Sequence, residues 1–186
     1  MERQLQVLNQ DFSRANISFT LRNTTWTENE DWASGANGVY SAMVATLHQG
    51  GNDALNLYFV EVVSPYGFPP PYDDENNELL GIASYPWDAS TTDHTSSVCV
   101  VAAGTVPGGD RAPTNLGKTA THEVGHWFGL YHPFEGGCVA DPNGGDRVSD
   151  TPAAANATFG CESSRDSCPD LPGLDPLQNF MGAADE

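Results

Sequence analysis

Positive charge is almost absent from this chain. One lysine, Lys118, and six arginines face 25 acidic residues, for a formal net charge of -18 over 186 residues. Nucleic acid and anionic membranes both bind through basic surface, so neither is an expected partner. No apolar run approaches the roughly 18 residues that cross a bilayer. No internal repeat and no second domain can be discerned. The opening Met1-Glu2-Arg3-Gln4 leads into no apolar stretch of the secretory kind. Hydrophobic residues make up 39 %, which suits a globular domain with its own core rather than a disordered chain.

Two features speak for an oxidising compartment. There are four cysteines, Cys99, Cys138, Cys161 and Cys168, and three Asn-x-Ser/Thr sequons, at Asn16, Asn23 and Asn156. Four cysteines allow three pairings if all of them bridge. Cys99 sits in an apolar run and reads as a buried free thiol.

Periodicity gives an α/β order. Residues 2–14 place Leu5, Leu8 and Phe12 at helical spacing. Residues 17–21 alternate and predict a strand. Residues 24–37 are polar and predict a loop. Residues 38–49 predict a helix closed by Gly50-Gly51. Strands are predicted over 55–63, 79–84 and 98–102, the last one central. Residues 64–77, with four prolines, predict a loop, as do 107–114. A further helix begins near Asn115. Beyond Pro133 the chain is dense in glycine and proline and loses all periodicity. So long an irregular tail suits a compact domain only if something other than regular structure fixes it.

That last helix carries the most informative segment. From His122 to His132 the chain reads H-E-x-x-H-x-x-G-x-x-H, five fixed positions. On a helix, His122 and His126 lie four residues apart on one face and reach the same metal ion. Glu123 projects beside them and can take a proton from a water that the metal activates. Gly129 lets the chain leave helical geometry, because glycine accepts positive φ. The turn brings His132 round as a third ligand. Three protein ligands leave a fourth position open, as a catalytic zinc requires. The histidines are thereby committed to a metal, which argues against a catalytic Cys–His pair.

The signature is that of the metzincins, whose second mark is a methionine turn beneath the metal. Asn179-Phe180-Met181-Gly182 stands about fifty residues downstream. Further stretches narrow the match: residues 115–121 before the helix, 132–138 after it, then 145–152 and 175–181. Together they resemble the pappalysin family, most closely its fungal extracellular metalloproteases. The resemblance runs from Gln4 to Met181 and is most specific from Asn115 onward.

The resemblance implies a metzincin catalytic domain, an α+β zincin fold spanning 1–186 as one domain. An upper subdomain, about 1–132, holds a twisted mixed sheet with backing and active-site helices above the cleft. An irregular lower subdomain, about 133–186, is stabilised by a disulfide and calcium. The family's first strand and C-terminal helix are expected to be missing from this stretch of chain, and its signal and propeptide are not in it. The implied activity is zinc-dependent endopeptidase action on proteins or peptides outside the cell, by a monomer. Zn2+ is held by His122, His126 and His132, with Glu123 as general base and Met181 packed under the metal. The family suggests that Cys138 pairs with Cys168, a closure worth about 3–4 kcal/mol in the chain-entropy picture. It assigns Ca2+ to Asp141, Asp146, Val148, Asp150 and Thr151. Calcium takes six to eight oxygens, and carboxylates at this spacing in a loop can wrap it. Gly81, Ile82 and Ala83 border the cleft, where an exposed edge can bind an extended peptide. One departure stands out. The family typically reads Met-Asp-Tyr at the methionine turn, with the tyrosine hydroxyl near zinc, and this chain has Ala183 at the tyrosine position. The alternative is therefore a zinc-binding domain with impaired or no proteolytic activity, acting as a binding module or fragment.

Overall fold

The computed structural model describes residues 1–35, 40–51, 53–64, 79–87, 97–139, 145–160 and 162–183. In chain order the elements are α1 (Glu2–Phe12), α2 (Glu30–Ala33), α3 (Tyr40–Leu47), β1 (Tyr58–Val60), β2 (Gly81–Ala83), β3 (Cys99–Ala102) and α4 (Lys118–Trp127). The three strands form one sheet in the order β1-β3-β2. β1 runs parallel to β3, with Phe59 opposite Val101, and β2 runs antiparallel to it, with Ile82 opposite Val100. An isolated bridge joins Val63 to Leu79.

All four residues of β3 are buried, because both faces of the sheet are covered. Side chains alternate across a strand, so Val98, Val100 and Ala102 enter one core with Tyr40, Met43 and Val44 of α3. Cys99 and Val101 enter a second core with Leu8 of α1 and Ala120 and Val124 of α4. A strand covered on both sides reads as a continuous apolar run rather than an alternating one, and residues 98–102 are such a run. The sheet's far edge is β2, next to the helix that carries the histidine motif.

Several predicted elements take a different form. Residues 17–21 join no ladder. Asn9 on α1 substitutes for a partner strand: its Oδ1 accepts from the Phe19 N–H at 2.7 Å and its Nδ2 donates to the Phe19 carbonyl at 3.1 Å. The strand predicted over 55–63 pairs only at 58–60, and that over 79–84 only at 81–83. The loop predicted over 24–37 contains α2, started by Asn29, whose side chain accepts the Trp32 N–H. The helix predicted over 38–49 is described from Tyr40 to Leu47. The motif helix begins at Lys118 rather than at Asn115, after Gly117. Most of the loop predicted over 64–77 lies outside the described residues.

Past Pro133 the described chain contains no helix or strand. It is held by side chains instead. Cys138 and Cys168 form a disulfide. Asp175, 6 % exposed, accepts from the Ser167 N–H at 2.9 Å and the Ser167 hydroxyl at 2.7 Å. It also pairs with the Arg165 guanidinium at 3.3 Å, and Arg165 donates in turn to Thr158 and Asn156. One buried carboxylate thus ties three loops together. Cys99 is a free buried thiol, and Cys161 lies outside the described residues. Among the described residues no helix is long and apolar enough to cross a membrane.

Candidate metal centre and cleft

His122 and His126 come one turn apart on α4. The helix then stops. Gly129 takes φ +93°, and the Leu130 N–H reaches back to the Gly125 carbonyl at 3.0 Å. Such a reversal caps the last turn and needs a residue that tolerates left-handed geometry. His132 follows it and faces the helix. The three Nε2 atoms stand 3.0, 3.1 and 3.2 Å from one another.

The ring protons decide what this cluster wants. His122 Nδ1 lies 2.8 Å from the Phe180 carbonyl, and His126 Nδ1 lies 2.8 Å from the Leu130 carbonyl. A carbonyl only accepts, so each Nδ1 carries the hydrogen and each Nε2 presents a lone pair. His132 Nδ1 faces Glu135 Oε2 at 3.8 Å. Lone pairs converging on one point repel unless a cation lies between them. Burial, with the neighbouring histidines adding to it, pushes His126 down to about 3 and His132 to about 4, so the trio is neutral at physiological pH. Nitrogens at about 2.0–2.1 Å around a tetrahedral zinc lie about 3.3 Å apart, close to the spacing seen. The donor set fits zinc. Among the described residues, no other group of three His, Cys, Asp or Glu ligand atoms converges in this way.

Glu123 sits on the same helix, 5 % exposed. Its Oε2 is buried with no hydrogen-bond partner among the described residues. Burial alone drives its proton affinity up, to about 8. Beneath the trio, Met181 is buried at a turn whose geometry Asn179 sets: its Oδ1 accepts the Met181 N–H at 2.9 Å, and its carbonyl accepts the Gly182 N–H at 2.8 Å. The methionine sulfur lies so close to Gly125 that a β-carbon there would overlap it. That contact locks the floor to the helix.

β2 packs against α4. Its inner edge pairs with β3, and its outer edge pairs with no strand among the described residues. Gly81, Ile82 and Ala83 are all half-buried. The chain continues from β2 into Tyr85, whose ring meets His126 edge-on at 5.3 Å and stacks on Trp87 at 4.8 Å. Tyr131 closes this wall against both rings, and the Arg147 guanidinium lies over Tyr131 at 4.8 Å. Trp87 remains 55 % exposed. Sequence reasoning did not single out this wall, because its members are distant in sequence or sit in a loop.

The predicted calcium residues are only partly in view. Asp141 lies outside the described residues. Asp146, Val148, Asp150 and Thr151 line one open groove. Asp146 Oδ1 is engaged by the Val148 N–H at 3.0 Å.

Two histidines on a helix and a third just past its end, above a methionine turn and beneath a small mixed sheet, are the architecture of a metzincin. Solved structures of mirolysin share it. One, in complex with a compound, superposes with a TM-score of 0.73 at 25 % identity, over 99 % of this chain and 76 % of that one. Another, mature mirolysin from Tannerella forsythia with a cleaved peptide, gives 0.71 over the same shares. Two fungal proteins named extracellular metalloprotease are more similar in sequence: one from Pyricularia oryzae at 45 % identity, one from Verticillium alfalfae at 43 %. All of this chain aligns with each, but it spans only 60 % and 62 % of their lengths. The family described as pregnancy-associated plasma protein-A (Peptidase_M43, the pappalysins) matches residues 73–184, and the chain belongs to it.

Proposed function

We propose that this chain is the catalytic part of a zinc-dependent endopeptidase that hydrolyses peptide bonds in extracellular proteins. His122, His126 and His132 hold the zinc and Glu123 is the general base. The observation that carries this reading is the convergence of three neutral Nε2 atoms, two of them on the helix that also carries Glu123, whose buried carboxylate oxygen has no partner among the described residues. The relatives' names and the disulfide support an extracellular setting.

When bound, zinc supplies Lewis-acid polarisation of a carbonyl and makes a water more acidic. The remaining work falls to the chain. The Phe180 and Leu130 carbonyls hold two imidazoles in the tautomer that presents Nε2. The outer edge of β2, at Gly81, Ile82 and Ala83, aligns an extended substrate through backbone hydrogen bonds and so accepts many sequences. Glu123 takes a proton from the attacking water and hands it to the departing amine nitrogen. Its desolvated carboxylate is a stronger base than a solvated one. Met181 supports the ligands from below and contributes no donor to the reaction.

The same reading places a calcium ion in the groove lined by Asp146, Val148, Asp150 and Thr151, with Asp141 as a further ligand. Two carboxylates facing an open groove supply oxygen chemistry of the right kind.

The alternative, a zinc-binding domain with little or no proteolysis, is favoured by one residue, Ala183, at the position of the family's tyrosine. A lost hydrogen bond to a developing oxyanion lowers rate by about 10²-fold to 10³-fold. Glu123→Gln separates the two readings. For the enzyme, the variant retains zinc and loses turnover of a denatured protein substrate, because an amide accepts no proton at neutral pH. If the unmodified protein holds zinc and cleaves nothing, the binding-domain reading stands.

A further inference from the structure

We infer that Lys118 is a positioning residue for the zinc ligand His122, acting through Phe180. The inference rests on the reading of the histidine trio as a zinc site.

Lys118 is the chain's only lysine, and its place runs against local preference. It is the first residue of α4, whose first turn holds no acid. The positive end of a helix dipole disfavours a cation there. A residue that breaks a local rule needs a partner elsewhere. Lys118 has two. Its ammonium bonds both carboxylate oxygens of Asp11 on α1, at 2.8 and 3.0 Å. Asp11 also accepts from the Thr121 hydroxyl at 2.7 Å, and its side chain is only 5 % exposed. Asp11 thus supplies the negative charge that the helix start lacks.

The second partner is Phe180. The Lys118 ammonium lies 5.2 Å from the centre of its ring, within the range of a cation–π contact. Phe180 is 44 % exposed, so the cation contact lies at the surface. Its carbonyl accepts the Nδ1–H of His122 at 2.8 Å, with the Gly182 backbone as a weaker second partner of that imidazole. Residue 180 therefore joins an exposed ring to a backbone atom that orients a metal ligand. A neutral side chain at 118 would leave that ring without its anchor. The Asp11 contact docks α1 on α4; the Phe180 contact aims the ligand.

The two roles can be separated by measuring zinc affinity, by competition with a chromophoric chelator, on the unmodified protein, Lys118→Met, Phe180→Leu, the double variant and Lys118→Arg. Cobalt-substituted absorption reports the ligand geometry, and metal-free melting curves report the fold. Lys118→Met and Phe180→Leu are each expected to weaken zinc binding by about tenfold, the low end for residues supporting a metal ligand. The double variant is expected to be no weaker than the worse single one, because the ring–cation contact is the one both changes remove and the Asp11 contact is lost in Lys118→Met alone. Lys118→Arg should restore affinity, since a guanidinium also stacks on aromatic faces. Zinc affinity and cobalt spectra unchanged in Phe180→Leu overturn the inference, as do losses that multiply in the double variant. Should Lys118→Met fail to fold, Phe180→Leu and Lys118→Arg still decide. If the unmodified protein binds no zinc, the metal-site reading falls together with this one. If it binds zinc and the variants match it, this inference alone falls.

Discussion

Gly81 and Glu123 occupy adjoining space: a β-carbon built on the edge-strand glycine would lie 2.6 Å from Glu123 Cγ and 2.8 Å from its carboxyl carbon. The edge strand β2 and the helix that carries Glu123 therefore meet where only a hydrogen fits. Gly81→Ala must displace the carboxylate or the strand. A misplacement of about 1 Å at a reacting group lowers rate by on the order of 10²-fold. We expect kcat to fall on that scale, with zinc content intact because no histidine is touched. Wild-type turnover in a well-folded, zinc-loaded Gly81→Ala would show that Glu123 does not need its present seat.

The metal-free protein should be most stable near pH 6.5. Folded His126 and His132 titrate at about 3 and 4, below their ordinary 6.5. The unfolded chain thus binds more protons in that interval, and acidification below 6.5 destabilises the fold. Glu123 is opposite: folded it titrates at about 8, above its ordinary 4.5. Its contribution is full below 4.5 and is lost as pH rises through 8. Between 4.5 and 6.5 these two histidines, with His122 lowered in the same direction by burial, outweigh the one glutamate; above 6.5 only the glutamate acts. Each net proton is worth about 1.4 kcal/mol per pH unit. Melting temperatures from pH 5 to 8 should therefore pass through a maximum in the chelated protein, and Glu123→Gln should remove the alkaline fall. A curve that only rises with pH, in the unmodified protein, would contradict this account of the site.

Calcium should raise the melting temperature and slow self-cleavage with zinc kept saturated. An ion that binds only the folded state stabilises it by mass action. Magnesium should substitute poorly, because it demands tighter octahedral geometry. Superimposable melting curves with calcium and with EGTA would leave Asp146 and Asp150 as solvated acids.

Much of the metal centre could be read directly from the chain, because its parts lie within eleven positions and obey helical spacing. His122, Glu123 and His126 need only one helix, and Gly129 signals the turn that delivers His132. The central strand was equally plain, since residues 98–102 are apolar on both faces. The rest depended on distance. Residues 17–21 have the alternation of a strand, but Asn9, ten residues before Phe19, takes their backbone bonds. The short helix at Glu30 carried a legible start in Asn29, and its polar surroundings hid it. Gly81 against Glu123, Lys118 against Asp11, and the Tyr85–Trp87–Tyr131 wall join residues that no local pattern connects. Nor does composition distinguish Asp175 from the other acidic residues of the tail.

Asp175 bears on how such a molecule would survive itself. An endopeptidase that grips extended backbone does not distinguish foreign chain from its own, and the tail past Pro133, whose described residues contain no helix or strand, is the part most like an unfolded substrate. Several of its described residues cannot be drawn out alone. Residues 155, 158, 165 and 167 are tethered directly or at one remove to a single sequestered carboxylate, and residue 138 is bolted to 168. Extending the chain at these residues would first have to break those bonds, which sets a barrier to laying them along a cleft.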